Sequence, residues 1–172
     1  MEKTEIERFR DGDKVLFHKI VDTYSERLYN IVYKILRNVD DTEDIVQETF
    51  VRAYTKRKGF KGKSSLYTWL VRIAYNLSYS FSKQKQPTVE LDPRLKSNEN
   101  PERYTERHEI SNKIDSAIKS LPLKQRTVFS LRFYENLSYK EISNILKCRI
   151  GTAKALYHFA VERLSEDLKD IL

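Results

Sequence analysis

The stretch LSYKEISNILKCRIGTAKALYHFAVERL, residues 137 to 164, holds two helical patterns on either side of a brief break. Ser138 and Glu141 have the spacing of a capping box, in which each side chain satisfies a backbone donor near the other. A short helix therefore begins there and buries Ile142, Ile145 and Leu146. Lys147, Cys148 and Arg149 make the turn, after which Ile150, Ala153, Tyr157, Ala160 and Leu164 line one face of a last helix. With the small residues Gly151, Thr152 and Ala153 at the start of that second helix, the pair reads as a helix-turn-helix. Arg149, Thr152, Lys154, Ala155 and His158 lie opposite the buried stripe, where they would face the major groove of DNA or its flanking phosphates. The competing reading is a plain helical hairpin whose outer face is solvated.

Upstream of this unit, Ile110, Ile114, Ile118 and Leu121 mark another helix. Pro122 follows where the start of a helix tolerates a missing amide donor, and Val128, Phe129, Leu131 and Phe133 fill the helix it opens. In the N-terminal part Phe17, Ile20, Val21, Tyr24, Leu28, Ile31 and Ile35 recur every three or four residues and predict one long helix. A second helix is expected from near Asp41, whose carboxylate can accept from the exposed backbone donors of the first turn, with Glu43 and Asp44 at the positive end of its dipole and Ile45, Val46, Phe50, Ala53 and Tyr54 on its apolar face. The basic, glycine-punctuated segment TKRKGFKGKSS then breaks the chain. Ser64 or Ser65 can cap a third helix carrying Leu66, Trp69, Leu70, Ile73, Ala74 and Leu77.

Between these blocks, residues 87–109 hold three of the four prolines (Pro87, Pro93, Pro101) and no helical stripe. They predict a flexible linker joining two small helical domains, 1–86 and 110–172. The whole is all-α. Formal charge divides as +5, −2 and +4 over the three segments of this 172-residue chain, for a net of +7. A basic balance suits a polyanion, of which nucleic acid is the commonest. The largest apolar runs are only a few residues long and the N-terminus is charged, so neither direct membrane insertion nor a secretory signal is expected, and the cytoplasm is the expected compartment. One cysteine and three scattered histidines offer no metal-ligand spacing, and no cofactor is expected.

The basic loop has a second meaning. Lys56, Arg57, Lys58, Lys61 and Lys63 precede a helix bearing Tyr67, Trp69, Tyr75, Asn76, Tyr79 and Phe81, and cations beside aromatic faces suit single-stranded nucleic acid. Trp69 shares a face with Leu66, Leu70 and Ile73 and is expected in the core, whereas Tyr75 and Tyr79 are the better candidates for exposure. The carboxylates Asp40, Asp41, Glu43 and Asp44 crowd one helix start, a placement that fits dipole partners and a protein contact better than a metal site.

Three motifs, DDTEDIVQETFVRAY, FKGKSSLYTWLVRIAYN and LPLKQRTVFSLRFYENLSYKEISNILKCRIGTAKALYHFAVERL, in this order and spacing, resemble the bacterial RNA polymerase sigma factors of the extracytoplasmic function (ECF) type in the sigma-70 family. The resemblance implies that the chain keeps only regions 2 and 4 of that family, joined by the linker. It implies that Asp44, Gln47, Glu48 and Phe50 grip the β′ clamp helices of core RNA polymerase. It further implies that the loop from Lys56 through Ser65, with Tyr75, Asn76 and Tyr79, opens and reads the minus-10 promoter motif by capturing a flipped base, and that the helix-turn-helix reads the minus-35 motif beside the β flap. An anti-sigma factor is an implied partner, and no catalysis is implied. The chain departs from the family pattern at Lys147, where glycine is usual, and at Leu156, Phe159 and Val161, where relatives carry more arginine. Two other readings compete. A stand-alone helix-turn-helix regulator would leave the basic and aromatic N-terminal block without a role, and a magnesium-dependent nucleic-acid enzyme lacks any distant partner carboxylate motif.

Overall fold

The computed structural model describes residues 3–85 and 106–169. Among these residues the chain forms eight α-helices and no strand: α1 (Lys3–Asp11), α2 (Lys14–Leu36), α3 (Val39–Thr55), α4 (Leu66–Lys85), α5 (Glu106–Ser120), α6 (Leu123–Phe133), α7 (Tyr139–Leu146) and α8 (Ile150–Asp167), with one 3-10 turn at Arg57–Gly59. The expected linker lies outside the described residues from 87 to 105, and its last four residues form the first turn of α5.

Local chemistry sets the helix ends. Asp13 caps α2 by accepting from the Leu16 amide at 3.0 Å, and the Arg8 guanidinium grips the same carboxylate at 2.7 Å. These contacts, the Leu16 amide first, hold the Asp13 carboxyl below the usual carboxylate range. Gly12, just before this cap, has φ 89°, and a Cβ there would lie 2.8 Å from the Arg57 guanidinium. The start of α3 falls earlier than expected: Asn38 is the cap and accepts from the Asp41 amide at 2.9 Å. Asp41 therefore contributes a donor, and Asp40 and Asp41 stand in the first turn, where the helix dipole favours negative charge. Ser65, rather than Ser64, caps α4, accepting from the Thr68 amide at 3.0 Å.

The long helix expected at the N-terminus is preceded by a separate one. The α1 sequence KTEIERFRD is mostly polar, yet it plants Phe9 between Phe17, Phe60 and Trp69, with ring centroids 6.0 to 6.4 Å away. One buried aromatic anchors a helix too short to be stable alone. Helices α2, α3 and α4 pack around Leu28, Ile31, Ile35, Leu70 and Val71. In the C-terminal unit, Val128 and Leu131 on α6 meet Ile142 and Ile145 on α7, while Ile118, Leu121, Phe129, Ala160 and Leu164 close a second cluster between α5, α6 and α8. Four residues assigned to apolar faces are exposed: Ile110, Ile114, Phe133 and Ile150. Phe133 stands at the last turn of α6 and stacks on Phe129 at 5.2 Å. Ile150 is the first residue of α8, one turn ahead of Ala153, the first residue of that helix to be buried.

The turn of the helix-turn-helix closes on Lys147, whose φ of 52° is left-handed. Its amide donates to the Ser143 carbonyl, and the Cys148 amide also reaches that carbonyl at 3.0 Å. A side chain in this backbone region is strained, which glycine relieves. Lys147→Gly is expected to raise stability by about 0.5–1 kcal/mol, net of glycine's greater unfolded-state entropy, measured as a higher midpoint in chemical denaturation. A lower midpoint would mean that the lysine stem contributes packing that outweighs the strain.

Candidate nucleic-acid interface

The capping box expected at α7 is formed. The Glu141 carboxylate accepts from the Ser138 amide at 2.9 Å, and Ser138 Oγ accepts from the Glu141 amide at 3.3 Å. With Lys147 closing the turn, α8 is presented with its inner side, Ala153, Ala160 and Leu164, buried. Arg149, Thr152, Lys154, Ala155 and His158 are all exposed on the other side. Lys154 Nζ lies 5.9 Å from the ring centroid of Tyr139 at the start of α7. Gly151 has open space where a Cβ would stand. This end of α8 is narrow enough to approach a groove floor, with cations at its edges for phosphates.

On α3, Asp44 and Gln47 are exposed and Glu48 is half-exposed, its carboxylate held by Arg52 at 2.6 Å. Phe50 differs from them. It is 8% exposed and belongs to the core, where it supports α3 from beneath. Val51, 59% exposed, lies beside it on the outer face, and both Phe50 and Val51 line a groove with Lys14, Phe17, His18 and Tyr54. Sequence reasoning passed over Val51. Its position one turn after Gln47, beside a run of carboxylates, was the signal.

The basic loop is partly structural. Lys56, Lys58, Lys61, Lys63 and Ser65 are exposed. Arg57 is not free: its Nη1 donates to the Tyr54 carbonyl at 2.8 Å and its guanidinium lies 4.4 Å over the Tyr54 ring. It clamps the loop to α3 and to the Gly12 turn. Gly62 turns the loop with φ 67°, and a Cβ there would come within 2.7 Å of Ile6. Trp69 is half-buried, tilted against Phe60 at 5.2 Å, and also lines a cleft of about 380 Å³ shared by Lys63 and Arg72 of the first unit and Lys140 and Asn144 of α7.

Of the aromatic residues expected to be exposed on α4, Tyr75 is buried, with 5% of its surface accessible. Burial pushes its hydroxyl up to about 12, with the Tyr79 hydroxyl and the Cys148 thiol as lesser contributors. Tyr79, half-exposed, lies 6.0 Å from the Tyr75 ring and is flanked by Lys83 at 4.9 Å and by Lys124 of α6 at 5.6 Å. Asn76 is exposed on the adjacent side. The outer aromatic face of α4 is thus covered by the helix-turn-helix unit, a contact between residues too distant in sequence for periodicity to reveal. Among the described residues no helix is long and apolar enough to cross a membrane, and no three or more His, Cys, Asp and Glu side chains come together in a way that could hold a metal.

Two helical units, one carrying an exposed cationic loop and the other a helix-turn-helix, present basic surfaces of the kind that suits a polyanion. Comparison with known proteins gives the family. Residues 20–88 match the family model of Sigma-70 region 2 and residues 111–164 match that of Sigma-70, region 4. The chain is 36% identical to the ECF RNA polymerase sigma factor SigW of Bacillus subtilis, over 99% of this chain and 98% of that protein. It is 31% identical to the RNA polymerase sigma-H factor of Pseudomonas aeruginosa, over 97% and 93%. Its fold superposes on the sigma factor RpoE of Bartonella quintana, crystallised with the anti-sigma factor NepR, with a TM-score of 0.71 and 25% identity over 91% of this chain and 98% of that one. The chain belongs to the ECF RNA polymerase sigma factors of the sigma-70 family.

Proposed function

We propose that this sigma factor works through three separate surfaces on two domains, 1–86 and 110–172, with 87–109 as tether. The outer face of α3, with Asp44, Gln47 and Glu48 and with Val51 added from the structure, binds the β′ clamp helices of core polymerase. Lys56, Lys58, Lys61, Lys63, Ser65, Asn76 and Tyr79 serve minus-10 opening and reading, with Arg57 and Tyr75 as supports of that surface in the form described. Arg149, Thr152, Lys154, Ala155 and His158 serve minus-35 reading, and the same domain meets the β flap. The chain itself catalyses nothing and acts in the cytoplasm. An anti-sigma factor binds it and holds it inactive; the Bartonella relative was crystallised in complex with such a factor.

The observation that supports this reading is that the region 2 match carries two exposed faces of opposite charge, carboxylates on α3 and cations on the loop, while the region 4 match exposes cations on α8. Asp44→Lys is exposed, so it leaves the fold intact and reverses charge where a protein contact is proposed. It is expected to weaken core association by about tenfold or more, as truncation or reversal at a desolvated charge contact does, while helicity and duplex binding by α8 stay unchanged. Equal affinity for core in a direct binding titration would remove α3 from the interface. A stand-alone regulator is disfavoured because the region 2 match, with its loop and α3 face, would then have no role.

A further inference from the structure

The two units are not apart in the structure. Leu131, Ile142 and Ile145 of the C-terminal unit belong to the same buried apolar cluster as Leu28, Leu70 and Val71 of the N-terminal one. At the rim of this seam stands Glu135, in the turn between α6 and α7. That turn is stiffened by two internal hydrogen bonds, Leu137 amide to Leu131 carbonyl at 3.1 Å and Arg132 Nη1 to Leu137 carbonyl at 3.0 Å. The Glu135 side chain is only 9% exposed. Its carboxylate receives Arg27 of α2, with Nη2 at 2.8 Å and Nε at 2.9 Å from one oxygen, and the same guanidinium lies 3.9 Å over the ring of Tyr67 on α4. Farther along α2, Arg37 pairs with Asp115 of α5 at 2.8 Å, and Lys34 lies 4.5 Å over the Tyr134 ring.

A nearly buried carboxylate is tolerated only when paired, and leaving it alone is costly. In this closed form Glu135 is nearly enclosed at the seam, and Arg27 of the other unit, its side chain 52% exposed, is the cation that reaches it from the rim. Closure and pairing therefore depend on each other. The closed form also conflicts with promoter use. Motifs centred near minus-10 and minus-35 are 25 base pairs apart by definition, or about 85 Å at about 3.4 Å per pair, whereas here α4 and α7 are in contact and the aromatic face of α4 is covered.

We infer that Arg27 and Glu135 form an interdomain latch, which holds a closed resting form of this sigma factor and must release before the two promoter motifs can be engaged together. This rests on the proposed function for its consequence in transcription, but the closed form and its latch can be tested without it. Trp69 is the only tryptophan of the chain and lines the cleft between α4 and α7, so its emission reports opening with no added label.

The test uses the full chain in four forms: unaltered, Arg27→Glu, Glu135→Arg, and the exchanged pair. Small-angle scattering is expected to give the unaltered chain a radius near ~16 Å, that of a compact chain of this length. Each single variant places like charges in the seam and is expected to raise the open population at least about tenfold, seen as a larger radius and red-shifted Trp69 emission. The exchanged pair is expected to return both readings toward the original. If Glu135→Arg loses helicity, the isosteric Glu135→Gln is expected to show a smaller shift in the same direction. Unchanged radius and emission in the single variants, or a double variant that stays as open as either single, would overturn the latch. Transcription with core polymerase separates the two claims. Opening that changes shape and also raises promoter use at limiting core supports both. Opening without any protein-dependent transcription leaves the latch standing and refutes the functional reading.

Discussion

Leu131→Ala is expected to destabilise the chain by about 3 kcal/mol, since truncating a fully buried leucine loses its transfer free energy and leaves a cavity that neighbours fill only in part. Leu131 has no exposed surface and stands where α6 faces both α7 and the N-terminal unit. The cost has two components that differ in how they are measured. Removing contacts to Ile142 and Ile145 weakens the helix-turn-helix unit itself, while thinning the apolar seam toward α2 favours the open form. Chemical denaturation followed by helicity should show the midpoint falling by an amount that corresponds to more than a hundredfold in the folding equilibrium. A loss below about 1 kcal/mol would mean that the site collapses around the missing methyl groups, and that the packing at the seam is looser than its burial indicates.

The second large effect belongs to function. Lys154→Glu leaves the core untouched, because the residue is exposed and its ammonium lies 5.9 Å from the ring centroid of Tyr139. If Lys154 grips a phosphate beside the minus-35 motif, removing the cation lowers the slope of log affinity against log salt by about one, and reversing its charge adds repulsion on top. Transcription from promoters that depend on the minus-35 motif is expected to fall by tenfold or more at moderate salt, and Lys154→Ala by less. Both losses should shrink as salt is raised, since screening weakens the interaction in the unaltered protein as well. A charge reversal that changes no target promoter at any salt would take the exposed face of α8 out of DNA reading.

What could be read from sequence and what could not divide along physical lines. The capping box of Ser138 and Glu141, the turn at Lys147 to Arg149, and the inner stripe of α8 from Ala153 to Leu164 are set within a few residues of one another and form as their spacing implies, while Ile150 at the head of that stripe is exposed. The cap of α3 was misplaced because Asn38, Asp40 and Asp41 all qualify by residue type, and only the backbone path selects Asn38. Helix α1 was missed because its main anchor, Phe9, gains much of its value from Phe60 and Trp69, fifty or more residues along the chain, and its second contact, Ile6, packs beside Gly62. The same is true of the site. The exposure of Lys154 and His158 follows from periodicity. The burial of Phe50 follows from its own expected apolar face, so its assignment to a partner contact came from the resemblance and not from that pattern. The burial of Tyr75 and the seating of Arg27 against Glu135 come from contact between two units that no local pattern links.

The central claim is that this chain directs core polymerase to promoters bearing two motifs. Run-off transcription with purified core bacterial polymerase over a library of genomic fragments, with and without the protein, followed by sequencing of transcript starts, tests it most directly. Protein-dependent starts are expected to share one motif near minus-10 and a second near minus-35, at a fixed separation. No protein-dependent starts, together with no binding to core polymerase and footprinting of duplex DNA by the protein alone, would contradict it and describe a free-standing helix-turn-helix regulator instead.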